Sequence, residues 1–182
     1  MGQEINYYDY IMPSIENRSL KTCPKEDEYN FRITKAKQQA SMEPVNRDTI
    51  VKYVNEFLAG LGMIEINHPH IKPKERETRR IDYCNINQES KEDIVWIKFT
   101  TDNYISVIGT SCDISFSQYA MDNTTAGIIN KVLDKRWDET DVLIFPLKKI
   151  PEHLNRSDIE SGIGNYLISK GVPILDFYSH NY

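Results

Sequence analysis

The densest chemistry in this chain lies between His68 and Arg80, where the sequence reads HPHIKPKERETRR. Two imidazoles one residue apart can approach a single cation. A structural zinc site needs four ligands, however, and a catalytic one three plus water. The nearest further donor is Cys84, fourteen residues past His70. Pro69 and Pro73 interrupt regular structure by themselves, so a turn closing a short strand accounts for both histidines without a metal. Lys72, Lys74, Arg76, Arg79 and Arg80 stand against Glu75 and Glu77, a local charge of +3 that would neutralise several phosphates if all faced one way. From Ile81 to Asp93 the balance reverses to −3, with Lys91 opposed by Asp82, Glu89, Glu92 and Asp93. Internal pairing in an exposed connector is therefore the expectation, and nucleic-acid contact through residues 72–80 the alternative.

Other constellations are weaker. A metal-dependent nuclease that places D and E-x-K on a hairpin needs a carboxylate where Trp96-Ile97-Lys98 has an indole, which cannot bind Mg²⁺. Cys112 with His153 or His180 and Asp113 or Asp176 is a cysteine-hydrolase arrangement, but a lone Cys beside a strand behaves more often as a small buried hydrophobe. Ser161-Gly162-Ile163-Gly164 lacks the Gly-Lys-Ser/Thr of a phosphate loop, and close helix packing accounts for its glycines. Neither a catalytic set, a metal site nor a cofactor motif is expected.

The elements that must position these groups follow from periodicity. Asn46 or Asp48 caps a helix whose one face carries Ile50, Val51, Val54, Phe57, Leu58 and Leu61, ended by Gly60 and Gly62, and Met63 to Asn67 reads as a short strand. DIVWIKFT (Asp93 to Thr100) and NYISVIG (Asn103 to Gly109) form a hairpin, which a third strand at Ile114 to Phe116 extends. In TTAGIINKVLDKRW, Ile128, Ile129, Val132, Leu133 and Trp137 recur at helical spacing. Strand Asp141 to Leu147, helix Ser157 to Lys170 and strand Val172 to Tyr178 read as a βαβ unit with parallel strands. Ser157 and Glu160 complete an S-x-x-E capping box, and Gly171 suits the left-handed residue after the helix. The expected fold is α+β: a mixed sheet with a C-terminal βαβ unit and two or three packed helices. Residues 1–45 are expected to be an irregular arm, with a strand at Tyr29, Phe31 and Ile33, and residues 46–182 a single α+β domain.

At 182 residues and 40% hydrophobic composition the chain can bury a real core, and a mean hydropathy of −0.54 places it on the polar side of globular proteins. Cys23, Cys84 and Cys112 are odd in number and far apart, which points to a reducing cytosol, and no secretory or membrane segment is expected. A net charge of −5 argues against a general nucleic-acid coat and leaves acidic faces for a basic partner: Glu26, Asp27 and Glu28, then Glu89, Glu92 and Asp93, then Asp138, Glu139 and Asp141. Tyr7, Tyr8 and Tyr10 lack surrounding aliphatics, so they dock onto the body of the protein or onto a partner, where tyrosine is a favoured anchor.

From MGQEINYYDYIMPSIENRSLKTCPKEDEYNF to RSDIESGIGNYLISKGVPILDFYSHNY, the chain resembles a phage-type anti-CRISPR protein directed against type II RNA-guided nucleases. Such proteins share no motif and no fold, so the resemblance assigns no residue. It implies a non-enzymatic inhibitor in the bacterial cytosol that needs no cofactor. Its partner would be the guide-loaded nuclease, which holds nucleic acid in basic channels that carboxylates can cover.

Overall fold

Two β-branched runs joined by a polar turn dictate the centre of the fold. The computed structural model describes residues 4–11, 25–71, 80–82, 93–111, 113–115 and 122–177. In chain order these form a 3₁₀ turn (Tyr7–Tyr10), helices α1 (Lys25–Ala40) and α2 (Arg47–Gly60), and strands β1 (His70–Ile71), β2 (Arg80–Asp82), β3 (Ile94–Thr100), β4 (Ile105–Ser111) and β5 (Asp113–Ser115). Helix α3 (Thr125–Val132), strand β6 (Trp137–Pro146) and helix α4 (Arg156–Ser169) follow. No helix of the described residues is long and apolar enough to cross a membrane.

The expected β3–β4 hairpin forms, turned by Asn103 at φ 70°. The sheet is antiparallel rather than mixed, in the order β1-β6-β3-β4. The run after α4 builds no second parallel strand beside β6. Ile174 alone bridges to Ile105, at the far edge of β4, so β3 and β4 lie between β6 and this segment. The physical reason is visible in its donors. Leu175 and Asp176 give their N–H groups to the carbonyls of Ile105 and Ser106, and the Asp176 side chain then turns away to Arg32 in α1. Strand β5 likewise pairs with β2 in a separate two-stranded sheet instead of extending the hairpin.

Alternation sends Val95, Ile97 and Phe99 of β3 into the main core with Leu143 and Phe145 of β6, Val54, Phe57 and Leu58 of α2, and Ile159, Ile163 and Leu167 of α4. The expected apolar face of α2 is buried apart from Val51, which is half-buried, and Asn46 accepts the Asp48 N–H at its start. Gly162 is required here, because a Cβ would stand 2.4 Å from Phe57 Cζ and 2.8 Å from Ile11 Cγ1. The opposite sheet face carries Ile94, Trp96, Val107, Trp137, Val142 and Ile144 around Lys98.

Four local expectations are corrected. Residues 25–40 are a helix, not an arm with a strand: Ile33, Ala36 and Ala40 form a stripe against Ile129, Leu133 and Leu175, while Tyr29 and Phe31 face out. Residues 63–67 form no strand, because the Asn55 amide takes the place of a strand partner, donating to the Ile66 carbonyl at 2.8 Å and accepting its N–H at 2.7 Å. Trp137 opens β6 rather than closing α3, since Leu133 caps that helix and Asp134 turns the chain at φ 54°. Finally, Asn155, not Ser157, caps α4, in a capping box with Asp158, whereas Gly171 does adopt the expected left-handed conformation, φ 78°. Asn155→Ala is therefore expected to lower stability by about 1 kcal/mol in urea unfolding, with Ser157→Ala, inside the first turn, having the smaller effect.

Candidate functional site

Phe99 is where the ladder fails on both sides. Against β6, Lys98 faces Val142 and Thr100 faces Trp137, so residues 138–141 all stand opposite one residue. Against β4, Lys98 faces Val107 and Phe99 faces Ile105, leaving Ser106 as a bulge. Surplus residues in a ladder re-aim side chains. Here they bring the Asp138-Glu139-Thr140-Asp141 stretch around the first residue of α2. Asp141 accepts from Arg47 Nη1 at 2.8 Å, and Asp138 from Arg47 Nη2 at 2.8 Å. Asn103 of the hairpin turn accepts from Nη2 at 3.1 Å, and the guanidinium lies 4.2 Å over the Phe99 ring. Arg47 Nε is buried without an acceptor among the described residues.

His70 joins from β1, its Nδ1 3.0 Å from Asp141 Oδ2. The tautomer with Nδ1–H donating to the carboxylate leaves Nε2 facing Asp48 Oδ1 at 3.6 Å, beyond a hydrogen bond. Asp48 lies in the first turn of α2, where the helix dipole favours an acid, and its side chain is 91% exposed. Glu139 is exposed as well. Burial pushes the Asp138 carboxyl up, but hydrogen bonds from Thr140 Oγ1 and N, with the Arg47 guanidinium, outweigh it and hold the group below the usual carboxylate range. A cleft of about 400 Å³ opens beside this cluster, lined by Pro44, Val45, Asn46, Arg47, Asp48 and Asn103.

Chemically the cluster is an arginine clamped by two carboxylates, with a histidine oriented by one of them. The imidazole faces Asp48 rather than a nucleophile. Counting Arg47 against Asp48, Asp138, Glu139 and Asp141, the locus carries −3 with His70 neutral. Among the described residues, no group of three or more His, Cys, Asp or Glu side chains is placed to hold a metal ion.

The remaining candidates are distributed elsewhere. Asp93 pairs with Arg156 at 2.8 Å. Glu26, Asp27 and Glu28 lie in the first turn of α1, where only the backbone is described. Arg80 lies in β2, paired with Ser115, again by backbone alone. Lys72, Lys74, Arg76, Arg79, Glu89 and Glu92, with Cys112 and His180, are outside the described residues. His68 is exposed. The 3₁₀ turn packs against the body of the protein: Tyr7 and Tyr10 against Phe57 and Tyr166, and Tyr8 stacked on His153. Asp176 is held by Arg32, and His153 is stacked on Tyr8, so these two members of the hydrolase arrangement have other partners.

Sequence reasoning missed Arg47, Asp48 and Asn103. One signal was present: an arginine at the first position of a capped helix opposes the helix dipole, so its charge must be satisfied elsewhere. Comparison with protein-family models, with curated proteins and with solved structures finds no match to this chain.

Proposed function

We propose that this protein is a non-enzymatic inhibitor that binds a type II CRISPR nuclease, or its guide complex, and obstructs target DNA binding or cleavage. The whole-chain resemblance motivates the reading. The geometric observation that carries it is the acidic edge where α2 meets the 138–141 bulge, at which two carboxylates, Asp138 and Asp141, clamp the Arg47 guanidinium while Asp48 and Glu139 are exposed. Asp138 and Asp141 are engaged inside the protein, so they shape the edge. Asp48 and Glu139 face outward and are the groups that would meet a partner's arginines and lysines. An acidic rim of this kind accelerates encounter with a basic channel and falls in effect as salt screens it.

The test is a titration of the protein against a fixed amount of guide-loaded nuclease, with cleavage and complex formation read together. Inhibition is expected to saturate near molar parity at concentrations well above Kd. Asp48→Asn with Glu139→Gln is expected to slow association by about tenfold at low salt and to flatten its salt dependence. Complete inhibition at strongly substoichiometric protein would mean catalysis instead. DNA retention by the protein alone, falling steeply with salt, would transfer the assignment to the basic 72–80 segment. Absence of binding and inhibition across several type II nucleases would end the proposal.

A further inference from the structure

His70 lies between two carboxylates that belong to different elements. It stands in β1, a strand of two residues opposite Leu143 and Val142 of β6, and the Pro69 carbonyl beside it accepts the Ile144 N–H at 2.9 Å. The chain before β1 is tied to α2 where Asn55 exchanges both hydrogen bonds with Ile66. About two helical turns nearer the start of α2, His70 meets the same helix again. Its Nδ1 is 3.0 Å from Oδ2 of Asp141 on β6, and its Nε2 is 3.6 Å from Oδ1 of Asp48 on α2.

We propose that His70 is a proton-operated clasp between β1 and α2, closed when the charged imidazole donates Nδ1–H to Asp141 and Nε2–H to Asp48. In the neutral ring, with Nδ1–H given to Asp141, Nε2 turns a lone pair toward a carboxylate and the second contact is repulsive. A proton on Nε2 makes it a donor facing an anion, and a movement of about half an ångström brings the pair within hydrogen-bond range. Imidazole changes charge between about pH 5 and pH 8, where exposed carboxylates stay ionised.

The charged groups of the described cluster are Asp48 and Arg47 of α2 and Asp138 and Asp141 of β6, with Glu139 exposed on the same stretch. Arg47 opposes the proton, because its Nη1 shares Asp141 Oδ2 with His70. The carboxylates outnumber it, and two of them hold it, so the imidazolium enters a negative locus. Asp48 is largely exposed, so water screens its share and the gain is modest. That gain is present while the imidazole is charged and is lost as pH rises through the imidazole range. The consequence for recognition rests on the function proposed above: Asp48 is then paired within the protein, and the locus changes from −3 to −2.

The test uses the full-length protein alone, so its failure leaves the proposed function standing. Imidazole proton–nitrogen correlation at about pH 8 is expected to show His70 as the Nδ1–H tautomer. Protection of the Ile144 N–H from hydrogen exchange, relative to the Leu175 N–H at the far edge of the sheet, is expected to rise about threefold between about pH 7.5 and pH 5.5. His70→Gln, which keeps a donor for Asp141 and takes up no proton, is expected to abolish the rise, and Asp48→Ala to reduce it by more than half. An Nε2–H tautomer at about pH 8 overturns the proposal, because Nε2 then already donates toward Asp48 without a charge. So does a parent that shows no rise, or a rise that survives undiminished in either variant.

Discussion

Arg32→Ala is expected to lower the unfolding free energy by about 3–4 kcal/mol, the largest effect of any single truncation among the ion pairs described. Arg32 on α1 reaches Asp176 through Nη2 at 2.9 Å to both carboxylate oxygens and through Nε at 3.1 Å. Asp176 is 2% exposed, so removal of the guanidinium leaves a carboxylate with almost no access to water. The same carboxylate belongs to the segment that lays Ile174 beside β4, and Gln39 Oε1 accepts the Ile174 N–H at 3.1 Å. Loss of the pair thus loosens α1 and the C-terminal edge together. The net worth of the intact pair is a different quantity, because its formation requires stripping water from both charges. Arg32→Met with Asp176→Leu is accordingly expected to recover more than half of the loss. Urea unfolding of the single and double variants measures both, and a single variant within about 1 kcal/mol of the parent would show that α1 is fixed by its apolar stripe alone.

How much of this was legible follows from where the information sits. The β3–β4 hairpin and the buried face of α2 rest on local periodicity, and both were readable. The position of the segment after α4 was not. A capped helix between two apolar runs looks the same whether its second run lies next to the first strand or beyond two intervening strands, and the choice depends on a carboxylate meeting Arg32 144 residues earlier. Helix α1 was misread because Tyr29, Phe31 and Ile33 imitate a strand over five residues, whereas its true stripe of Ile33, Ala36 and Ala40 is short and small. Asp138, Glu139 and Asp141 were recognisable as an acidic cluster from composition alone. That two of them would clamp Arg47 was not, because the bulge that turns them depends on register with β3.

Arg47→Ala should separate the structural from the functional role of this edge. The substitution is expected to lower stability by about 2–4 kcal/mol, since it leaves Asp138 and Asp141, both largely shielded, without the guanidinium they share. The pH dependence has a definite sign. The folded Asp138 carboxyl titrates below its unfolded value, so its contribution is fully present above the unfolded carboxylate range and is lost as pH falls through the depressed folded value. The difference between parent and Arg47→Ala should therefore be constant above about pH 5 and narrow as pH falls through the carboxylate range, as protonation of Asp138 removes the charge left without its guanidinium. A difference that stays flat into acid would assign the loss to packing of the guanidinium on Phe99 instead. Binding should move the opposite way. Removing Arg47 takes the locus from −3 to −4, and an acidic edge that steers a basic partner then draws it faster at low salt, while Asp48→Asn with Glu139→Gln slows it. A variant that is less stable yet associates at least as fast supports recognition by this edge. Slower association by Arg47→Ala at a temperature where it remains folded would place the binding surface elsewhere on the molecule.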